Sequence, residues 1–165
     1  MQEPKCIIVI GASAGGLTAL CELADQFEKD IDTAIFIVLH LSRRAVGDYL
    51  QHRLQRYTTL PCHLVTDGMT FSKGNIYIAQ PDLHLLVKRG YCKLTDGVHE
   101  NRWRPSIDVL FRSAAAVYGE RVIGIMLTGM LDDGTAGMIA VKRSGGICIV
   151  QDPDEAEYPE MPLSV

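Results

Sequence analysis

The chain has 165 residues, 47% of them hydrophobic and 22% charged, with a formal net charge of −4. That length supports one domain able to bury a core without disulfides or metal, and the apolar content excludes a disordered chain. Mild acidity without basic runs excludes the electrostatic footprint of nucleic-acid binding or of an anionic membrane, so the expected partner is a protein or a small molecule.

Cys6, Cys21, Cys62, Cys92 and Cys148 are odd in number and scattered, which indicates neither a disulfide framework nor a metal site. No leader and no apolar stretch of membrane-spanning length are visible, so membrane insertion is not expected and the cytoplasm is the expected compartment. Lys5 to Ile10 is a continuous β-branched run that suits a buried parallel strand. It breaks into the glycine-rich turn Gly11-Ala12-Ser13-Ala14-Gly15-Gly16. From Leu17 to about Glu28, apolar residues recur at helical spacing, and Thr33 to Leu39 is a second buried strand that ends at His40. Strand, helix and strand make a βαβ unit, whose active residues belong at the carboxyl ends of the strands.

A second helix is expected from Arg43 to Tyr57, with apolar Val46, Tyr49, Leu50 and Leu54, and a short strand from Cys62 to Val65. Ile76 to Ala79, Leu83 to Val87 and Tyr91 to Leu94 read as three short strands, a meander or hairpin added to the main sheet. Pro105 opens a third helix carrying Ile107, Val109, Leu110, Ala114 and Val117. Val122 to Leu127 is another apolar strand, which ends in the loop Thr128-Gly129-Met130-Leu131-Asp132-Asp133-Gly134. A helix from about Ala136 to Arg143 and a strand from Ile147 to Val150 come next, and residues from Gln151 onward show no clear element. The expected fold is α/β: a doubly wound, mostly parallel sheet with helices on both faces and a small β-hairpin or meander insertion.

Three parallel-type strands therefore end at Ser13, at His40 and at the Asp132-Asp133 loop, and in a doubly wound sheet neighbouring carboxyl ends converge. A serine attacks only when an imidazole takes its proton, and the imidazole needs a carboxylate to fix its tautomer. The glycine turn by itself could hold a phosphate or an oxyanion. Against the dinucleotide fingerprint G-x-G-x-x-G, Ser13 fills the middle glycine position and His40 stands where an acid for the ribose belongs. Gly11-Ala12-Ser13-Ala14-Gly15 also fits the G-x-S-x-G elbow that exposes a nucleophile. Each piece has a plain structural alternative: Ser13 as a helix cap, His40 as a core histidine, Asp132-Asp133-Gly134 as a turn. Arg102 and Arg104 beside Trp103 form either a solvated turn or a grip on a substrate carboxylate.

Gly-Ala-Ser-Ala-Gly-Gly at 11–16, His40 after a buried strand, Asn101-Arg102-Trp103-Arg104-Pro105-Ser106-Ile107-Asp108-Val109-Leu110-Phe111 and the run from Leu127 to Met138 together resemble the catalytic domain of chemotaxis receptor methylesterases, the CheB family. The resemblance implies a Ser-His-Asp triad that hydrolyses γ-methyl esters of glutamate, and that also deamidates glutamine, on the cytoplasmic region of methylated chemoreceptors. It implies Ser13 as nucleophile, His40 as base, and Asp133, not Asp132, as orienting carboxylate. The backbone N–H groups of Ala14 and Met130 are implied as the oxyanion hole, with no cofactor and no metal. Ala14 stands where many relatives have threonine and Leu131 where glycine is usual. Residues 1–165 are expected to form a single catalytic domain, without the family's receiver domain and truncated before its final segment. The rival reading is a non-catalytic interaction module that kept the fold.

Overall fold

The longest apolar runs of the sequence lie side by side at the centre of a parallel sheet. The computed structural model describes residues 3–40 and 47–165. In chain order its elements are β1 (Cys6–Ala12), α1 (Gly16–Asp25), β2 (Thr33–Leu39), α2 (Gly47–Gln55), β3 (Cys62–Leu64), β4 (Asn75–Ile78), β5 (His84–Lys88) and β6 (Tyr91–Thr95). Then come α3 (Ile107–Tyr118), a 3-10 turn (Gly119–Arg121), β7 (Val122–Met126), α4 (Thr135–Arg143), β8 (Ile147–Val150) and α5 (Glu160–Leu163). The expected start of the second helix at Arg43, and Val46 within it, lie outside the described residues.

Six strands form one sheet in the order β3-β4-β2-β1-β7-β8, with every neighbouring pair parallel. The strand order runs outward from β1 in both directions, first to β2 and later to β7, so the crevice that a doubly wound sheet uses opens at the carboxyl end of β1. Side chains of β1 and β2 alternate between two cores. Ile8, Ile10, Ile35 and Ile37 pack with Leu20 and Ala24 of α1 and with Leu50 and Leu54 of α2. Ile7, Val9, Phe36 and Val38 pack with Leu110 and Phe111 of α3, Met138 and Val141 of α4, and Leu85 and Val87 of β5. Strands covered on both faces need apolar residues at every position, the reason these runs do not alternate.

The expected three-stranded insertion divides differently. Asn75–Ile78 is β4, inserted in parallel between β3 and β2, and only β5 and β6 form an antiparallel hairpin, a separate two-stranded sheet. The physical distinction is in the patterning: Ile76, Tyr77 and Ile78 are buried in succession, whereas β6 alternates exposed and buried along Tyr91-Cys92-Lys93-Leu94. The segment after Gln151 is also structured: it folds back, and Met161 of α5 is fully buried. Among the cysteines, Cys21, Cys62 and Cys92 are buried, whereas Cys6 and Cys148 are only partly so.

Candidate active site

Ser13 is the first residue beyond β1 and His40 the first beyond β2. The pair Ala12 and Leu39 is the last in register, so Ser13 and His40 occupy the next step of the same ladder. The His40 N–H donates to the Ala12 carbonyl at 3.0 Å, and the Ser13 N–H donates to the Thr128 carbonyl at 3.0 Å, which ties the turn to the strand ends on both sides. By the two-residue period, both side chains fall on the α3 face of the sheet. Gly11 lets α3 come close: a Cβ there would meet Ile107 Cγ2 at 2.4 Å.

Ser13 does not cap α1. The N-cap is Gly15, in a left-handed conformation with φ 72°, and no side chain bonds the helix start. The Ser13 carbonyl accepts the Gly16 N–H at 2.8 Å, and its hydroxyl makes no hydrogen bond among the described residues.

His40 Nε2–H donates to Asp133 Oδ2 at 2.8 Å, with both side chains shut off from solvent. An ionised carboxylate only accepts, so the proton of this bond belongs to Nε2, and Nδ1 keeps its lone pair. Nδ1 is buried and has no partner among the described residues. A lone pair on the ring's free edge is what a general base requires.

Asp133 accepts five hydrogen bonds. Besides His40, Oδ2 accepts the Ile107 N–H at 2.7 Å; Oδ1 accepts Asn101 Nδ2 at 3.0 Å, Ser106 Oγ at 2.9 Å and the Asp108 N–H at 3.2 Å. The carboxylate thus sits on the unpaired N–H groups at the start of α3, where the helix dipole favours negative charge. Burial pushes its pKa up, but the hydrogen bonds from His40, Asn101 and Ile107 outweigh burial, and the carboxyl is held below its ordinary value. Asp108 goes the other way: burial raises it, although the Gly137 N–H opposes, and the neighbouring charge of Asp133 adds to the rise. Asp132 is exposed, and its contribution is a carbonyl that accepts the Thr135 N–H at 3.2 Å.

The contacts of four residues around this nest, Ser106, His84, Asn101 and Trp103, were not legible in the sequence. Ser106, the residue before α3, sends its hydroxyl to Asp133 and not to its own helix. Its N–H donates to His84 Nδ1 at 3.2 Å, while His84 Nε2–H donates to the Val98 carbonyl at 2.8 Å, so a second buried histidine braces the nest. Asn101 Nδ2 also reaches Asp108 at 2.6 Å. Trp103 stacks on His40 with ring centroids 3.9 Å apart and planes 5° from parallel. An amide and an aromatic inside a motif rich in Arg were the available signals.

The N–H groups of Ala14 and Met130 donate to no described residue. The loop that carries Met130 is clamped by the C-terminal segment: Gly129 N–H to the Tyr158 carbonyl and Met161 N–H to the Gly129 carbonyl, both at 3.0 Å. Gly129 lies between Met161 and the serine; a Cβ there would meet Met161 Sδ at 2.1 Å and Ser13 Cβ at 2.8 Å. Leu131 has φ 67°, the left-handed conformation that glycine adopts without strain, and its N–H donates to Glu160 Oε2 at 2.8 Å. Met130 and Leu131 are both about half exposed.

Of the two arginines, Arg104 is engaged within the fold. Its guanidinium donates to Asp82 Oδ1 at 2.9 and 3.1 Å and to the carbonyls of Asp96 at 2.7 Å and Gly97 at 2.9 Å. Arg102 is exposed and bonds to no described residue. Among the described residues no group of three or more His, Cys, Asp or Glu is arranged to hold a metal ion, and no helix is long and apolar enough to cross a membrane.

A family model described as CheB methylesterase matches residues 8–165. A Sulfurimonas denitrificans protein named protein-glutamate methylesterase/protein-glutamine glutaminase is 37% identical over 165 residues, covering 98% of this chain and 46% of that protein. A Rhodospirillum rubrum protein of the same name, numbered 2, is 36% identical over 155 residues, covering 92% of this chain and 42% of that protein. The chain thus spans less than half the length of these two relatives. A crystal structure of the Thermotoga maritima CheB methylesterase catalytic domain superposes with a TM-score of 0.92 at 32% identity, covering 97% of this chain and 86% of that one.

Proposed function

The chain belongs to the CheB methylesterase family, and from that premise we propose that it hydrolyses γ-methyl esters of glutamate, and deamidates glutamine, on chemoreceptors, with Ser13, His40 and Asp133 as its triad. The observation that carries this reading is the buried His40–Asp133 hydrogen bond of 2.8 Å, one register step from Ser13.

His40 Nδ1 takes the proton of the Ser13 hydroxyl as Oγ attacks the ester carbonyl, and Nε2–H stays on Asp133, whose charge stabilises the imidazolium. The N–H groups of Ala14 and Met130 hold the oxyanion of the tetrahedral intermediate, which collapses as His40 returns the proton to the departing methoxide, and methanol leaves. Water, deprotonated by His40, then hydrolyses the acyl-enzyme to free glutamate and Ser13. A glutamine side chain takes the same course with ammonia leaving. Side chains, backbone N–H groups and water carry every step. Arg102 is assigned to a carboxylate of the substrate, and Arg104 to the loop that presents it.

The substrate is the cytoplasmic region of a methylated chemoreceptor, and the reaction belongs to the cytoplasm. Six strands form one central sheet and the β5–β6 hairpin packs into the same core, which supports reading the described residues as one catalytic domain. Methanol release from methylated receptor tests the reading: the parent chain releases it and Ser13→Ala does not. A serine-directed fluorophosphonate labels Ser13 in the parent. An unlabelled Ser13 together with no methanol release would replace this reading with that of an interaction module.

A further inference from the structure

We propose that Trp103 is a positioning residue for this reaction: its indole face sets the plane of the His40 imidazole and favours the imidazolium that forms as Ser13 attacks. The inference rests on the assignment of His40 as the base.

The Cβ–Cγ axis of a histidine crosses the far edge of the ring between Cε1 and Nε2, so Nε2 lies nearer to it than Nδ1 does. A hydrogen bond at Nε2 therefore restrains rotation about χ2 less than one at Nδ1 would, and χ2 of histidine is intrinsically broad. Nδ1 lies off that axis and swings with it. In His40 the bonded atom is Nε2 and the atom left without a partner is Nδ1, so the bond to Asp133 alone leaves that free edge the less firmly aimed of the two. A flat ring 3.9 Å away and 5° from parallel removes that freedom.

The stack also acts on charge. A cation over an indole face is attracted to it, and the attraction grows when both are withdrawn from water. His40 becomes a cation only after it takes the Ser13 proton. The attraction is made in the transition state and not before, so it raises kcat and leaves KM alone.

The turn that holds Trp103 is built independently of its ring. Glu100 and Trp103 exchange backbone hydrogen bonds at 3.1 and 2.8 Å, and Asn101 and Arg102 between them have φ of 51° and 71°. Positive φ at both central residues is the backbone of a type I′ turn, which Asn fits and Arg does not. Strain of this kind persists where the surroundings require it. Glu100 is ion-paired to Arg112 of α3, and Arg104 is bonded to Asp82. The same turn delivers Asn101 to Asp133. The indole Nε1 is buried and has no partner among the described residues, so a hydrogen bond does not place the ring. Packing alone would be served equally by an aliphatic side chain. What the indole adds is its face.

Trp103 is the one tryptophan of the chain, so its emission reports this stack directly. Among the described residues Asp133 is the charged group bonded to His40, with Glu100 and Arg102 on the turn itself. An imidazole stacked face to face on an indole changes the indole's emission. The fluorescence of the unmodified chain therefore differs from that of His40→Gln. Identical emission from the two chains overturns the proposal, and this holds even if every Trp103 variant misfolds. In steady-state methanol release, Trp103→Leu lowers kcat about tenfold at unchanged KM. Trp103→Phe, which keeps an aromatic face, stays within about threefold of the parent. A folded Trp103→Leu chain with parental kcat, or a Trp103→Phe chain as slow as Trp103→Leu, overturns it too. Full activity in Ser13→Ala would instead remove the triad reading beneath it.

Discussion

Replacing Asp133 by Asn is the sharpest perturbation the site offers, because every one of the carboxylate's five partners is a donor. An amide has one accepting oxygen. Placed toward Asn101, Ser106 and Asp108, it keeps those three bonds without the assistance of charge, which roughly halves their strength. The amide nitrogen then faces the Ile107 N–H and His40 Nε2. The Ile107 N–H is left buried and unpaired, at a cost of about 1–3 kcal/mol. His40 keeps a bond only by moving its proton to Nδ1, the atom that must accept from Ser13. Asp133→Asn should therefore lose about 3 kcal/mol of stability, a fall of roughly 10 °C in Tm for a domain of this size. It should lose about four orders of magnitude in kcat, the scale of the same tautomer error in Ser-His-Asp triads generally. Methanol release and thermal unfolding followed by circular dichroism measure the two effects, with Asp132→Asn as the control that changes neither. Activity within tenfold of the parent, or an equal loss in Asp132→Asn, would refute the assignment of Asp133. The pH dependence adds a sign. The folded carboxyl is held below its ordinary pKa, so its contribution is present above about pH 4 and is lost as pH falls further. The stability gap between parent and Asp133→Asn should narrow below that pH in urea unfolding.

Gly129→Ala puts a methyl against Met161 and against the Cβ of Ser13, so kcat should fall at least tenfold by displacement of the nucleophile, while unfolding shows a loss of about 1–3 kcal/mol. Labelling of Ser13 at the parental rate would contradict this. Arg104→Ala removes the bonds to Asp82, Asp96 and Gly97 and should lower Tm. Because Asp82 is well exposed, the ion pair adds little and the loss is about 1–2 kcal/mol, mostly from the two carbonyls. Arg102→Ala should leave Tm unchanged and raise KM for the receptor; equal KM in the two chains would end the assignment of Arg102 to substrate. Burial pushes the Cys62 thiol up to about 11 and the Cys92 thiol up to about 12. A thiol reagent at pH 8 should modify neither until the chain unfolds, as mass spectrometry of the labelled peptides will show.

The ends of three strands are legible in the amino-acid sequence. Continuous apolar runs at 5–10, 33–39 and 122–127 demand burial on both faces, and parallel strands so buried deliver the residues just beyond them to one edge of a sheet. Ser13, His40 and Asp133 are reached by that rule together with the family resemblance. The same reasoning misplaces Ile76–Ala79, because a four-residue apolar run has no period long enough to distinguish a meander from a buried parallel strand.

Only the tertiary structure decided what holds the proposed triad. Asn101, Ser106, His84 and Trp103 lie in a polar, irregular stretch or a hairpin, where no periodicity assigns a direction to a side chain. Their roles come from contacts made across the fold, set by the packing of α3 on β1 and by one strained turn. The same holds for the C-terminal segment: acid and proline gave it no pattern, yet Met161 and Glu160 dock on the loop of Met130 and Leu131. Local sequence determines where a strand ends, because the two-residue period and burial act on neighbours. Which nitrogen of His40 is bonded and which is left free depends on where Asp133 arrives from 93 residues away, and that only the assembled fold decides.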